Sequence, residues 1–222
     1  MRVGQILPTF RGDAESVLER ARRVADVGID GLFVYDHLYP PGEPDRASLS
    51  PFPLLARLAT TVEGVHLGPL VARVGHGSPA HLSESLQALV EWAPGRVIAG
   101  LGLGDAQGRR EMEDFGLSVD DLATRRRDLA EIARSVAAPV WIGGRSPALV
   151  EIADSLGAAL NLWNAPLDEV ERFVGPREVT WAGMAPEGVE GWLDALAERG
   201  VTWCVFTSHA SPERLGAWCA TR

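Results

Sequence analysis

The chain has 222 residues and a formal net charge of −9 at pH 7. All 21 basic residues are arginine, which excludes a lysine Schiff base and a Walker-type phosphate lysine. The acidic balance argues against nucleic-acid binding, which needs clustered excess cations. Two cysteines and the lack of any run of about 18 uncharged apolar residues predict a reduced, cytoplasmic chain with no membrane span.

A unit of helix, glycine and strand recurs along the chain. The first copy is an amphipathic helix over 13–27, a stop at Gly28 and the apolar run 32–35. A later copy is the helix 187–198, a stop at Gly200 and the apolar run 202–207. Alternating helices and strands of this kind predict a mainly parallel sheet.

Eight continuous apolar runs are predicted strands, and helices follow most of them. Eight such units fit a compact (β/α)8 TIM barrel of the α/β class, with residues 1–222 as a single domain. The alternative is an open doubly wound sheet, which usually has fewer strands. A long polar loop over 39–53 follows strand two and is predicted to be functional or mobile. The predicted strands are 3–7, 32–35, 65–71, 97–101, 140–143, 158–163, 179–184 and 202–207, and the helices are 13–27, 51–62, 80–92, 109–115, 120–136, 147–155, 167–173, 187–198 and 212–219.

The first candidate site is the pair Asp36 and His37, directly after strand two. In a barrel, ligand-binding groups follow the carboxyl ends of the strands. Histidine side chains ordinarily exchange protons near neutral pH, and an adjacent carboxylate can orient the ring or hold a ligand. The alternative is a strand-end histidine that only hydrogen-bonds the backbone.

The second candidate site is the segment 143–146, which opens a helix before Pro147. Its glycines allow close backbone approach, and the helix N-terminus with Arg145 and Ser146 could hold a phosphate. An ordinary tight turn has the same composition. The glycines over 100–104 do not match a dinucleotide-binding fingerprint, because the third glycine and the later acidic residue are missing. They either let a planar ring approach or make room inside the barrel.

Separate predictions follow for four arginines, four histidines and the seven tryptophans. Arginines on consecutive loops suggest an anionic ligand, although surface solvation is the alternative. The histidine spacings match no metal motif, so no metal is predicted. The tryptophans are mostly predicted core residues. The arginines are 73, 109, 110 and 145, the histidines are 37, 76, 81 and 209, and the tryptophans are 92, 141, 163, 181, 192, 203 and 218.

Segments over most of residues 1–165 resemble the luciferase-like monooxygenase superfamily, whose members are flavin- or coenzyme F-420-dependent oxidoreductases on a TIM barrel. The order and spacing of the segments carry the resemblance. They include ADVGIDGLFVYDHL, VHLGPLVA, MEDFG and PVWIGG. The similar segments are 3–10, 25–38, 65–72, 79–104, 112–116, 139–144 and 153–163.

The resemblance implies roles for particular residues. Asp36 and His37 would lie beside the cofactor ring as the catalytic pair. The end of strand three would carry a non-proline cis peptide behind that ring, and segment 143–146 would take the cofactor phosphate. The implied cofactor-binding residues are Val71, Ala72, Arg73, Gly102, Gly104, Asp105, Gly143, Gly144, Arg145 and Ser146.

The implied function is coenzyme F-420-dependent hydride transfer to or from a small organic substrate. Alternatives are an FMN-dependent monooxygenase, a non-catalytic flavin- or deazaflavin-binding relative and, from another class, a metal-dependent barrel hydrolase. The usual insertion before strand five is shortened at 133–138, which predicts a short or missing substrate lid. No nucleic-acid or membrane partner is expected. The oligomeric state stays open, with a homodimer as one arrangement.

Overall fold

Parallel strands alternate with helices in the computed structural model. The structure describes residues 1–10 and 13–222 and, within these, all side chains but that of Gln107. Every paired strand runs parallel to its neighbour. The strands are β1 (Arg2–Ile6), β2 (Gly31–Val34), β3 (His66–Pro69), β4 (Ala72–Arg73), β5 (Ala99–Gly102), β6 (Val140–Gly143), β7 (Ala159–Trp163), β8 (Val179–Gly183) and β9 (Trp203–Phe206). The helices are α1 (Ala14–Asp26), α2 (Pro51–Thr61), α3 (Pro79–Trp92), α4 (Ala106–Asp114), α5 (Leu122–Ser135), α6 (Pro147–Leu156), α7 (Leu167–Val170), α8 (Val189–Glu198) and α9 (Pro212–Cys219).

The predicted third strand occurs as two segments that join the two edges of the sheet. The sheet order is β3-β2-β1-β9-β8-β7-β6-β5-β4. β3 pairs with β2, β4 pairs with β5, and Leu67 in β3 also bridges to Val97 just before β5. The two segments meet at the Leu70–Val71 peptide bond, which is cis. The prediction of a (β/α)8 barrel is therefore confirmed, with one strand interrupted.

Large aromatic side chains fill the barrel interior towards the N-terminal ends of the strands. Phe33 packs against Trp141 and Trp203 at ring-centroid distances of 5.2 and 6.0 Å. Gly4 and Gly31 make room for them, since a Cβ at either position would lie within 3 Å of the Phe33 ring. The barrel is thus closed towards the N-terminal ends of its strands, and space for a ligand remains at the other end.

A second apolar layer lies between the sheet and the helices. In α1 the buried residues are Val17, Leu18, Ala21 and Val24, which share one face of the helix. The Asp13 side chain caps the helix by accepting from the backbone N–H of Ser16. Among the tryptophans, the core prediction is wrong for Trp92 and Trp163, which are 58% and 43% exposed. None of the helices in the described residues is long and apolar enough to span a membrane.

The short connection before β6 lies far from the carboxyl ends of the strands. α5 ends at Ser135 and β6 starts at Val140. Because the strands are parallel, this connection meets the N-terminal end of β6, whereas ligand-binding loops follow the opposite end. The connection itself therefore lies away from the ligand-binding end, and the expectation that the substrate lid is short or missing stays a prediction.

Candidate functional site

A cavity of about 630 Å³ opens at the carboxyl ends of the strands. Residues from the loops after β1, β2, β5 and β6 and from the end of β7 contribute to its walls, as expected for a barrel. Nine of the residues predicted for the site line this cavity. They are Asp36, His37, Val71, Arg73, Gly102, Gly104, Asp105, Gly143 and Gly144.

The other three predicted residues do not line the cavity. Ala72 is fully buried in the layer between sheet and helices. Arg145 is exposed, and its Nε lies 3.1 Å from Glu169 Oε1. Ser146 precedes α6 as its N-cap, and its side chain makes no capping hydrogen bond. Ser146 and the start of α6 thus remain at the edge of the site.

A buried carboxylate that could not be identified from the sequence contacts His37. Glu111, in α4, is fully buried, and its Oε1 lies 2.5 Å from His37 Nδ1. Its Oε2 accepts a hydrogen bond from the Leu38 N–H at 2.9 Å and lies 2.9 Å from Arg73 Nη1. Burial raises the pKa of Glu111, but the Leu38 N–H, His37 and Arg73 outweigh it and lower the pKa below its ordinary value. An ionised carboxylate only accepts, so His37 Nδ1 carries a proton.

Asp36 and Arg73 extend this network. The Arg73 N–H donates to Asp36 Oδ2 at 2.8 Å, and Arg73 Nε lies 3.8 Å from the same oxygen. Burial raises the pKa of Asp36, although Arg73 opposes the shift. Arg73 therefore lies between two carboxylates. The four predicted arginines do not form a common anion site, since Arg109 and Arg110 lie exposed on α4.

The helical spacing around Glu111 explains its burial. Gly108, Glu111 and Met112 are buried in α4, whereas Arg109 and Arg110 are exposed. This i, i+3, i+4 pattern marks the inward face of a helix. Glu111 stands in a charged run, GRREMED, which resembles a solvated surface. The apolar Met112 next to Glu111 is the feature of the sequence that could have shown that this side of α4 faces inward.

The glycines that line the cavity mainly accommodate Val71. A Cβ at Gly102 would lie 2.5 Å from Val71 Cγ2, and one at Gly143 would lie 2.8 Å from Val71 Cγ1. At Gly144, with φ of 128°, a Cβ would lie 2.6 Å from Leu149. Of the two roles predicted for glycines here, making room inside the barrel is the one that these contacts support.

Three aromatic side chains also line the cavity. We call Phe10, Tyr35 and Trp163 the aromatic wall. The Phe10 and Tyr35 rings stack with centroids 5.1 Å apart and planes 3° apart, and Trp163 meets Tyr35 edge-on at 6.1 Å. His37 lies with its edge towards both Phe10 and Tyr35, at 5.8 and 6.1 Å. The wall and the His37 ring are thus contiguous.

The remaining histidines form no metal site in the described residues, where no group of three or more His, Cys, Asp or Glu side chains could hold a metal ion. His81 and His209 are exposed. His76 lies behind the cavity, where burial, assisted by the positive charges of Arg73 and Arg125, lowers its pKa to about 4. His76 is therefore neutral at physiological pH.

The chain belongs to the luciferase-like monooxygenase family, whose sequence profile matches residues 1–138. This match covers more than half of the chain and includes Asp36, His37, Arg73 and Glu111. The resemblance drawn from the sequence is thereby confirmed at the level of an oxidoreductase and monooxygenase superfamily. No curated protein matches the chain.

Solved structures of low sequence identity share the fold. An F420-dependent secondary alcohol dehydrogenase in complex with an F420–acetone adduct has a TM-score of 0.82 and 13% identity, over 100% of this chain and 99% of that one. The coenzyme F420-dependent tetrahydromethanopterin reductase of Methanopyrus kandleri has a TM-score of 0.73 and 14% identity, over 98% and 96%. The FMN-bound oxygenating constituent of 3,6-diketocamphane monooxygenase from Pseudomonas putida has a TM-score of 0.63 and 16% identity, over 92% and 66%.

Proposed function

We propose that the chain is a coenzyme F420-dependent oxidoreductase that transfers a hydride to or from a small organic substrate. The observation that carries this proposal is the pairing of His37 with the buried Glu111 at the edge of the cavity. Two structural neighbours are named as F420-dependent enzymes, and this supports the choice of cofactor.

The residues of the cavity fit a deazaflavin. The cavity combines an apolar side, formed by Val71 and the glycines that make room for it, with polar groups at Asp36 and His37. At the start of α6, the Ser146 hydroxyl makes no capping hydrogen bond, so this hydroxyl and the backbone N–H groups of the helix N-terminus could donate to a phosphate. The Arg145 side chain forms an ion pair with Glu169, so it would bind the phosphate only after leaving Glu169. We assign the ring to the glycine side of the cavity and the phosphate to the start of α6.

The network around His37 defines how a proton could move. The bound deazaflavin would supply the hydride acceptor or donor. Glu111 holds the proton on His37 Nδ1, which leaves Nε2 as the nitrogen that exchanges a proton with the substrate. In the oxidation of an alcohol, His37 Nε2 would accept the proton of the hydroxyl group. In the reduction of a carbonyl, the same nitrogen would return the proton to the oxygen.

An FMN-dependent monooxygenase is the second candidate, because one structural neighbour of the same fold carries FMN. The same cavity and phosphate position would serve it. Titration of the purified chain with F420 and with FMN distinguishes the two, and we expect tighter binding of F420. Binding of either cofactor without turnover of any substrate would instead support a non-catalytic relative.

The decisive test is His37→Asn, with the exposed His209→Asn as its control. Loss of an acid–base group should lower kcat by about 10²- to 10⁴-fold. Cofactor affinity should stay close to that of the unchanged protein, because the glycine wall and the α6 N-terminus remain. Equal losses in rate and in cofactor affinity would show that His37 is a ring contact, and would refute its role in proton transfer.

A further inference from the structure

We propose that the aromatic wall is a substrate subsite for an uncharged molecule with an apolar body and a hydroxyl or carbonyl group. This inference rests on the proposed function for the action of His37 on that polar group and for the position of the cofactor ring. Phe10, Tyr35 and Trp163 would contact the apolar body, and His37 would meet the oxygen.

The geometry of the wall places the two contacts next to each other. His37 lies edge-on to Phe10 and Tyr35 within about one ring diameter, so a molecule resting on those rings reaches the imidazole. Trp163 extends the apolar surface on the far side of Tyr35. The aromatic wall and the glycine side, to which the cofactor ring is assigned, belong to one cavity. A substrate on the aromatic wall would therefore share this cavity with the cofactor ring.

The charges of the cavity argue against an ionic substrate. Among the lining residues that the structure describes, the ionisable side chains besides those of His37 and Tyr35 are Asp36, Arg73 and Asp105. Asp36 and Arg73 pair with each other, and Asp105 caps α4 by accepting from the Gly108 N–H at 2.8 Å. A charged substrate would thus lose its hydration without gaining an unengaged partner, which is unfavourable.

A cage for an organic cation is the main alternative, because aromatic faces attract cations. Such a cage presents several ring faces to one point. Here the Phe10 and Tyr35 planes are 3° apart and cover one face of each other, while Trp163 is turned by 72° relative to Tyr35. The stacked Phe10 and Tyr35 rings therefore do not present two faces to one point, which favours an uncharged ring or chain over a cation.

The exposure of Trp163 gives a separate reason to expect a ligand on this wall. Trp163 ends β7, and 43% of it is exposed although it lines the cavity. The next residue, Asn164, has a φ of 47°, and its Oδ1 accepts from the Met184 N–H at 2.9 Å. This turn fixes the backbone that carries Trp163. A ligand that covers the indole removes apolar surface from water, which stabilises the complex.

The test compares three ring probes of similar size, namely cyclohexanone, cyclohexylammonium and cyclohexanecarboxylate, on the full chain with and without coenzyme F420. Indole N–H signals in ¹H–¹⁵N spectra report binding, and Trp163→Ala and Trp92→Ala assign the two exposed tryptophans. We expect cyclohexanone to shift the Trp163 signal and leave the Trp92 signal in place. Trp163→Ala should weaken cyclohexanone binding about fivefold to tenfold, and Trp92→Ala should leave it unchanged.

The outcomes separate this inference from the proposed function. Tighter binding of cyclohexylammonium would overturn it in favour of a cation cage, and tighter binding of the carboxylate would overturn it in favour of an anion site. No response of Trp163 to any probe would also overturn it, even if F420 binds. A Trp163 response to cyclohexanone in a chain that does not bind F420 would support the subsite and refute the proposed cofactor.

Discussion

Replacement of His76 by glutamine should remove part of the acid sensitivity of folding. The folded protein lowers the pKa of His76 from 6.5 to about 4. Between these values the unfolded chain binds more protons at His76 than the folded chain, so stability falls as the pH drops through about 6.5. At about 1.4 kcal/mol per pKa unit, the full effect is about 3 kcal/mol, of which about 1.4 kcal/mol is expressed at pH 5.5. Since His76 is partly exposed, solvent screening reduces the expected difference to about 1 kcal/mol.

Urea unfolding at about pH 7.5 and pH 5.5 measures this effect, and both values lie above the sequence pI of about 5.1. The free energy of unfolding of the unchanged protein should fall more between the two pH values than that of His76→Gln, by about 1 kcal/mol. His81→Gln, which removes an exposed histidine, is the control. Equal pH dependence in the unchanged protein and in His76→Gln would refute the argument that burial and neighbouring cations keep His76 neutral.

Three further predictions concern folding stability. Glu111→Gln should destabilise the protein by about 3 kcal/mol in urea unfolding at pH 7, because it removes a negative charge beside the buried Arg73 guanidinium. The control Glu113→Gln, on the exposed side of α4, should change the free energy of unfolding by less than about 0.5 kcal/mol. A loss below about 1 kcal/mol in Glu111→Gln would contradict the importance of the buried pair. Gly68→Ala should cost more than about 3 kcal/mol, since its Cβ would lie 1.9 Å from a backbone oxygen across the barrel closure. Gly191→Ala, in the exposed face of α8 with no atom near its Cβ, should stabilise the protein by about 0.5–1 kcal/mol, and a destabilised variant would contradict this reasoning.

The strand and helix order could be predicted because both signals are local. Strands of a parallel barrel are buried on both faces and form continuous apolar runs, and the glycines that end the helices stand in the sequence. The interruption of the third strand could not be predicted from the composition of its run. It arises because β3 and β4 pair with different neighbours, β2 and β5, and such pairing depends on the closed sheet.

The site residues that follow the end of a strand could be predicted from the sequence. Asp36 and His37 follow β2 directly, so the barrel topology alone brings them to the cavity. Glu111 comes from the second turn of a helix in a charged run, and its burial depends on how α4 packs. Arg145 follows β6 as expected, but Glu169, a partner distant in sequence, draws its side chain away from the cavity.

The placement of the α5–β6 connection has a consequence for how this chain could change in evolution or by engineering. Residues 136–139 join the end of α5 to the N-terminal end of β6, with Ala137 and Pro139 exposed. An added segment would start at the end of the barrel opposite the cavity, and each doubling of loop length would cost only about 0.6 kcal/mol in closure entropy. This corner of the barrel is therefore a permissive point for grafted segments or affinity tags, at which chain length can vary independently of the chemistry at the opposite end.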